Sequence, residues 1–204
     1  LLNIGNFLNQ GLLLLSFIMA LISLFVFVIN RSDLATIISF LAFLANLTLA
    51  LYVYLNNPKN PVNRIFGLFV LSIAFWILGI LMFRSQAAVT AFTFFWAREF
   101  YASGSLIPVL FVYFAYYFPF KKPELSKALK IALLSFAVIS LGAICFTNWL
   151  IVKIVMNPWG PEVILGWFYY PFTFFYILLM GYAFRHLFVK YLGAASINKI
   201  QLKY

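Results

Sequence analysis

Six apolar runs, at 12–29, 34–55, 65–83, 100–118, 128–147 and 163–184, constrain this chain more than any other feature. A helix rises 1.5 Å per residue and the hydrocarbon core of a bilayer is about 30 Å thick, so about twenty apolar residues cross it. In hydrocarbon every backbone N–H and C=O must be satisfied within the chain, which favours helices. The runs therefore predict an all-α, polytopic transmembrane bundle of about six helices. The run at 12–29 is near the lower limit of length. A cleaved leader is the competing reading, but no basic stretch or A-x-A site accompanies the run. Composition agrees with a lipid-facing surface: 66% of residues are hydrophobic, 9% are charged, and mean hydropathy is +1.04. A soluble domain keeps roughly a quarter of its residues charged.

The connections are short. Asn30-Arg31-Ser32-Asp33 allows only an antiparallel turn, with Ser32 or Asp33 capping the helix that follows. Asn30-Arg31-Ser32 is also a glycosylation sequon, but it lies too close to the membrane to serve. Asn56-Asn57-Pro58-Lys59-Asn60-Pro61 and Phe118-Pro119-Phe120-Lys121-Lys122-Pro123 are strong helix breakers. Ile151-Val152-Lys153-Ile154-Val155 followed by Asn157-Pro158-Trp159-Gly160-Pro161 predicts a short exposed hairpin near 150–162. Trp149, Trp159 and Trp167 suit an interfacial belt. Residues 1–30 are expected to form an additional amino-terminal helix, and 31–204 a five-helix unit belonging to a longer protein.

Fourteen Lys and Arg against four acidic residues would suggest nucleic acid in a soluble protein. Here they sit in loops. Lys59, Arg64, Lys121, Lys122, Lys127, Lys130, Arg185, Lys190, Lys199 and Lys203 fall on one side, and Arg31, Arg84, Arg98 and Lys153 on the other. The positive-inside rule assigns the larger set to the cytoplasm, so the carboxyl end is expected to be cytoplasmic. Expected partners are the bilayer, other membrane subunits or a second copy, and no nucleic acid.

No dinucleotide, Walker, zincin or nucleophile-elbow motif is present, so no catalytic residue, metal or cofactor is expected within the chain. Cys145 reads as a small core residue. His186, at the end of the last run, reads as a headgroup or helix-dipole contact. Polar groups inside the membrane carry the site hypotheses. Asn46 is either interhelical glue or a ligand contact. Glu99, beside Arg98 at the outer end of the fourth run, is either part of an outer-leaflet site or solvated at the interface. Pro108, after Ser103-Gly104-Ser105, is a hinge or pocket wall, or packing alone. A pocket of Trp76, Tyr101, Pro108 and Tyr170 would have the aromatic character of small-ligand sites.

Ala45-Asn46 in a Leu-rich helix, Asn57-Pro58-Lys59-Asn60-Pro61-Val62-Asn63-Arg64-Ile65-Phe66, and Trp76 come in that order. Phe95-Trp96-Ala97-Arg98, Phe100-Tyr101, Ile107-Pro108, Phe114-Ala115, Phe118-Pro119 and the run 197–204 follow. With these residues the chain resembles the seven-helix amino-terminal membrane region of bacterial sensor histidine kinases and related signalling proteins. The resemblance covers 34–204, or five of the family's helices. It implies a membrane signal-input domain whose kinase or other output domain lies outside these residues. Two other readings compete with it. A non-catalytic accessory or assembly subunit would copurify with a larger complex. A carrier or channel would need more polar lining than Asn46, Thr48 and Ser72 supply.

Overall fold

The computed structural model describes Met19, Ser23 and residues 33–118 and 125–193. Apart from Met19 and Ser23, the first predicted helix lies outside the described residues, as do the Asn30-Arg31-Ser32 turn, the breaker at 119–123 and the run 197–204. The chain divides into two compact units, Leu1–Leu41 and Ala42–Tyr204. Five helices are described: α1 (Leu34–Asn56), α2 (Pro61–Arg84), α3 (Ala91–Tyr117), α4 (Lys127–Phe146) and α5 (Tyr169–Gly193). Between α4 and α5 lies an antiparallel hairpin, β1 (Ile151–Asn157) and β2 (Gly160–Leu165). All five helices are long and apolar enough to cross a membrane. The fold is an all-α polytopic bundle carrying one hairpin.

Side-chain caps set the helix starts. Asp33 Oδ1 accepts from the Thr36 N–H at 3.2 Å, and Asn60 Oδ1 from the Val62 N–H at 3.1 Å, with Pro61 at the first turn of α2. Thr90 and Thr93 form a reciprocal capping box at the start of α3, and Thr93 Oγ1 also donates to the Ala88 carbonyl at 2.8 Å. Ser126 Oγ caps α4. In the hairpin, Gly160 takes φ 120°, a conformation that side chains rarely adopt, and Asn157 Nδ2 donates to Glu162 Oε2 across the turn.

α3 is the axis of the second unit. It packs on α2, α4, α5 and β1. Half of its most apolar stretch is buried, against 17–33% in the other four helices. Two apolar clusters form around it. Ala97, Ile144, Leu150 and Ile151 centre the one at the hairpin end. Val112, Ala115, Leu133 and Ala183 centre the one at the opposite end, where the lysines of α4 and α5 lie. These are called below the hairpin end and the basic end.

Two expectations are corrected. α3 starts at Ala91 rather than at 100, because Thr90 supplies a strong cap and the aromatic turn after it tolerates the charges that interrupt the apolar run. Arg98 and Glu99 therefore lie about two turns inside a helix, not at its end. The last helix starts at Tyr169 rather than at 163, since Val163 and Ile164 pair with Ile154 and Lys153 in the hairpin, and it continues to Gly193. α3 also runs unbroken through Pro108, whose neighbours Ser103 and Ser105 bond back to carbonyls of the preceding turn at 3.0 and 2.7 Å.

Candidate functional site

The hairpin end of α3 carries a concentration of polar atoms without partners. Arg98 Nη2 donates to Asn148 Oδ1 at 3.4 Å, but Arg98 Nε and Glu99 Oε2 are buried with no hydrogen-bond partner. Glu99 can sit this deep because α2 presents Gly79. A Cβ at Gly79 would overlap Glu99 Oε2 and stand 2.7 Å from Phe100 Cβ. Arg98 and Glu99 line an open recess of about 620 Å³ with Ala91, Phe94, Phe95 and Cys145. An unsatisfied buried polar atom costs about 1–3 kcal/mol, and more if charged, so this end of the helix is poised to receive a polar group.

A second, smaller cavity of about 270 Å³ lies between α2, α3 and α5, one to two turns further in. Trp76, Phe100, Tyr101, Gly104, Phe172, Thr173 and Tyr176 line it. Trp76 lies over Gly104, where a Cβ would meet its Cδ1 at 3.1 Å. Of the four residues expected to share a pocket, Trp76 and Tyr101 meet here and Pro108 and Tyr170 do not. Pro108 is fully buried in helix packing. Tyr170 is 76% exposed on the first turn of α5. The later start of α5 brings Thr173 and Tyr176 to the level of Tyr101 instead. Phe172 and Tyr176, four residues apart, share the facing side. Asn46 stands apart from both cavities, its Nδ2 donating to the Ala42 carbonyl of its own helix at 2.8 Å.

At the basic end the polar groups are bonded, except His186 Nε2, which is buried without a hydrogen-bond partner. Lys190 Nζ donates to the carbonyls of Ala115, Tyr116 and Phe118 at 2.8, 2.6 and 2.8 Å, which uses all three of its protons. These carbonyls end α3, so the cation also meets the negative end of the helix dipole. Tyr116 and Tyr182 share a hydroxyl bond of 2.6 Å, and His186 stacks on Tyr116 with ring centroids 4.1 Å apart. Lys190, expected in a loop, lies on the longer α5 and reaches the end of α3, while His186, expected as a headgroup or dipole contact at the end of its own helix, lies within α5 and stacks on Tyr116. The signal was in the sequence, since Tyr182, His186 and Lys190 recur every four residues and so form one helical stripe. Among the described residues no three of His, Cys, Asp and Glu come together to hold a metal ion.

A family model for the N-terminal 7TM region of histidine kinase matches residues 38–203. The chain belongs to this family. Searches of curated proteins and of solved structures find no match. Within the kinase 7TM region the match takes in nearly all of α1, the whole of α2–α5 and the hairpin, so both cavities and the Lys190 bonds lie inside it. As a member of that region the chain is a multi-pass membrane protein of the sensor-input kind.

Proposed function

We propose that this domain receives a stimulus at its hairpin end, outside the cell or within the outer leaflet, and passes it along α3 and α5 to a cytoplasmic output domain beyond these residues. The observation that carries the reading is the asymmetry of α3. One end adjoins both recesses with Arg98 and Glu99 underbonded, and the other is held by Lys190 of α5. A ligand engaging Glu99, Tyr101 or Trp76 bears on α3, and a small movement of α3 strains or relieves the three bonds to Lys190. The ligand must bind the two packings with different affinity, or nothing is transmitted. A tenfold change in population takes about 1.4 kcal/mol, which the loss of one charge-assisted bond, about 1.5–3 kcal/mol, would supply. The excess of Lys and Arg at the basic end supports a cytoplasmic assignment in a bacterial inner membrane.

The test uses the full-length gene product in membrane vesicles, with phosphorylation of its output domain as the readout. Glu99→Gln should reduce the response to stimulus with basal output retained, whereas Lys190→Met should shift basal output itself. A reading frame that ends without an output domain, or basal output indifferent to Lys190→Met in folded protein, would overturn the proposal.

A further inference from the structure

Arg98 and Glu99 set a charge pattern that any occupant of their recess must match. Neighbours in sequence point about 100° apart on a helix, so the two side chains are poorly placed to satisfy each other. Both nevertheless line the same open recess of about 620 Å³. Among the described residues Arg98 Nε and Glu99 Oε2 are buried without a hydrogen-bond partner. The guanidinium bond to Asn148 Oδ1 is long, at 3.4 Å. Arginine keeps its charge throughout and only donates, whereas a carboxylate only accepts.

These two demands decide the class of ligand. A purely anionic ligand bonded to Arg98 would lie against the Glu99 carboxylate. A purely cationic one bonded to Glu99 would lie against the guanidinium. In a partly water-excluded recess such like-charge contacts are strongly unfavourable. A zwitterion with an ammonium and anionic oxygens on one short linker meets both groups. Its oxygens accept from the guanidinium and its N–H groups donate to the carboxylate, each bond charge-assisted. The wall beside them, Ala91, Phe94 and Phe95, suits an apolar remainder, and the volume is that of a small-ligand site.

We propose that this recess binds a zwitterion carrying a primary ammonium beside an anionic group, with the anionic oxygens on Arg98 and the ammonium on Glu99. Free amino acids and the ethanolamine headgroup of a phospholipid share that chemistry. The proposal rests on the reading of the hairpin end as the receiving end and names the class of what is received.

The experiment measures binding to the full-length protein in detergent micelles with two matched series of probes. Equilibrium dialysis compares phenylalanine with N-acetylphenylalanine, which keeps only the anion, and phenylalaninamide, which keeps only the ammonium. Native mass spectrometry compares phosphatidylethanolamine with phosphatidylglycerol and phosphatidylcholine of identical acyl chains. Phosphatidylcholine is a zwitterion whose ammonium has no N–H to give. In at least one series the zwitterion with N–H donors should bind wild type better than both comparators, by about tenfold or more. A preference in the first series marks an aqueous source, and in the second a source in the leaflet. Removing one charge should redirect the preference, a change that mere loss of packing would not produce. Arg98→Gln should favour the ammonium-only probe, and Glu99→Gln the anion-only probe or phosphatidylglycerol, with helicity by circular dichroism unchanged. Comparable binding within both series, or a preference of wild type for a singly charged probe, would overturn the proposal. So would a zwitterion preference that survives both substitutions. Zwitterion binding that leaves phosphorylation of the output domain unchanged would instead sink the sensor reading and leave the site standing.

Discussion

The two ends of α3 solve the same physical problem in opposite ways. Both bring charged or hydrogen-bonding groups into the interior of an apolar bundle. At the basic end a single lysine uses all three protons on three carbonyls, and two tyrosines satisfy each other. His186 Nε2 is the exception there, buried without a hydrogen-bond partner while its ring lies on Tyr116. At the hairpin end an arginine nitrogen and a carboxylate oxygen are left without partners beside a recess. On the reading proposed above, the two ends divide holding from receiving. Groups already bonded hold two helices in register, and groups left unbonded are available to something that arrives.

If that contrast is right, removing the charged group at each end should have effects of opposite sign. Lys190→Met should be the most damaging, removing three charge-assisted bonds and leaving the last carbonyls of α3 to whatever water reaches them. A loss of about 3 kcal/mol, seen as a lower melting temperature in micelles, is expected. A variant that melts like wild type would deny the basic end its holding role. Gly79→Ala should cost about 2 kcal/mol by the same measurement, because its Cβ displaces the Glu99 carboxylate and presses on the backbone side of Phe100. Glu99→Gln should reverse the sign, raising stability by about 1 kcal/mol by removing an underbonded charge of nearly the same shape. A clear loss there would mean that Glu99 is already satisfied in the resting protein. Tyr182→Phe should be the mildest, near the roughly 0.6 kcal/mol of an average interhelical hydrogen bond in a membrane.

Much of the architecture was legible because the bilayer enforces it. Unbroken apolar runs located five described helices, and the β-branched run before Asn157-Pro158-Trp159-Gly160 located the hairpin. What failed was the placement of ends. Hydropathy cannot see that Thr90 and Thr93 start a helix two turns before two charges, nor that an apolar run at 163–168 is strand and turn rather than helix. Those errors propagated to the site. Trp76 and Tyr101 were found together, but moving the start of α5 replaced Tyr170 by Tyr176 in the cavity. Pro108 is buried within the continuous α3 and lines neither recess. Asn46 bonds its own helix and takes no part in either recess. The bonds of Lys190 join residues more than seventy positions apart, a distance that no local pattern encodes, although the four-residue stripe hinted at the face.

The account depends most on the hairpin end and the basic end lying on opposite sides of one membrane. In a Cys145→Ser background, Trp159→Cys at the exposed hairpin turn and Lys127→Cys at the start of α4 can be probed in intact cells with a membrane-impermeant maleimide. Labelling of Trp159→Cys from outside, with Lys127→Cys reacting only after permeabilisation, is the predicted result. Labelling of both positions from outside, or of Lys127→Cys alone, would contradict it.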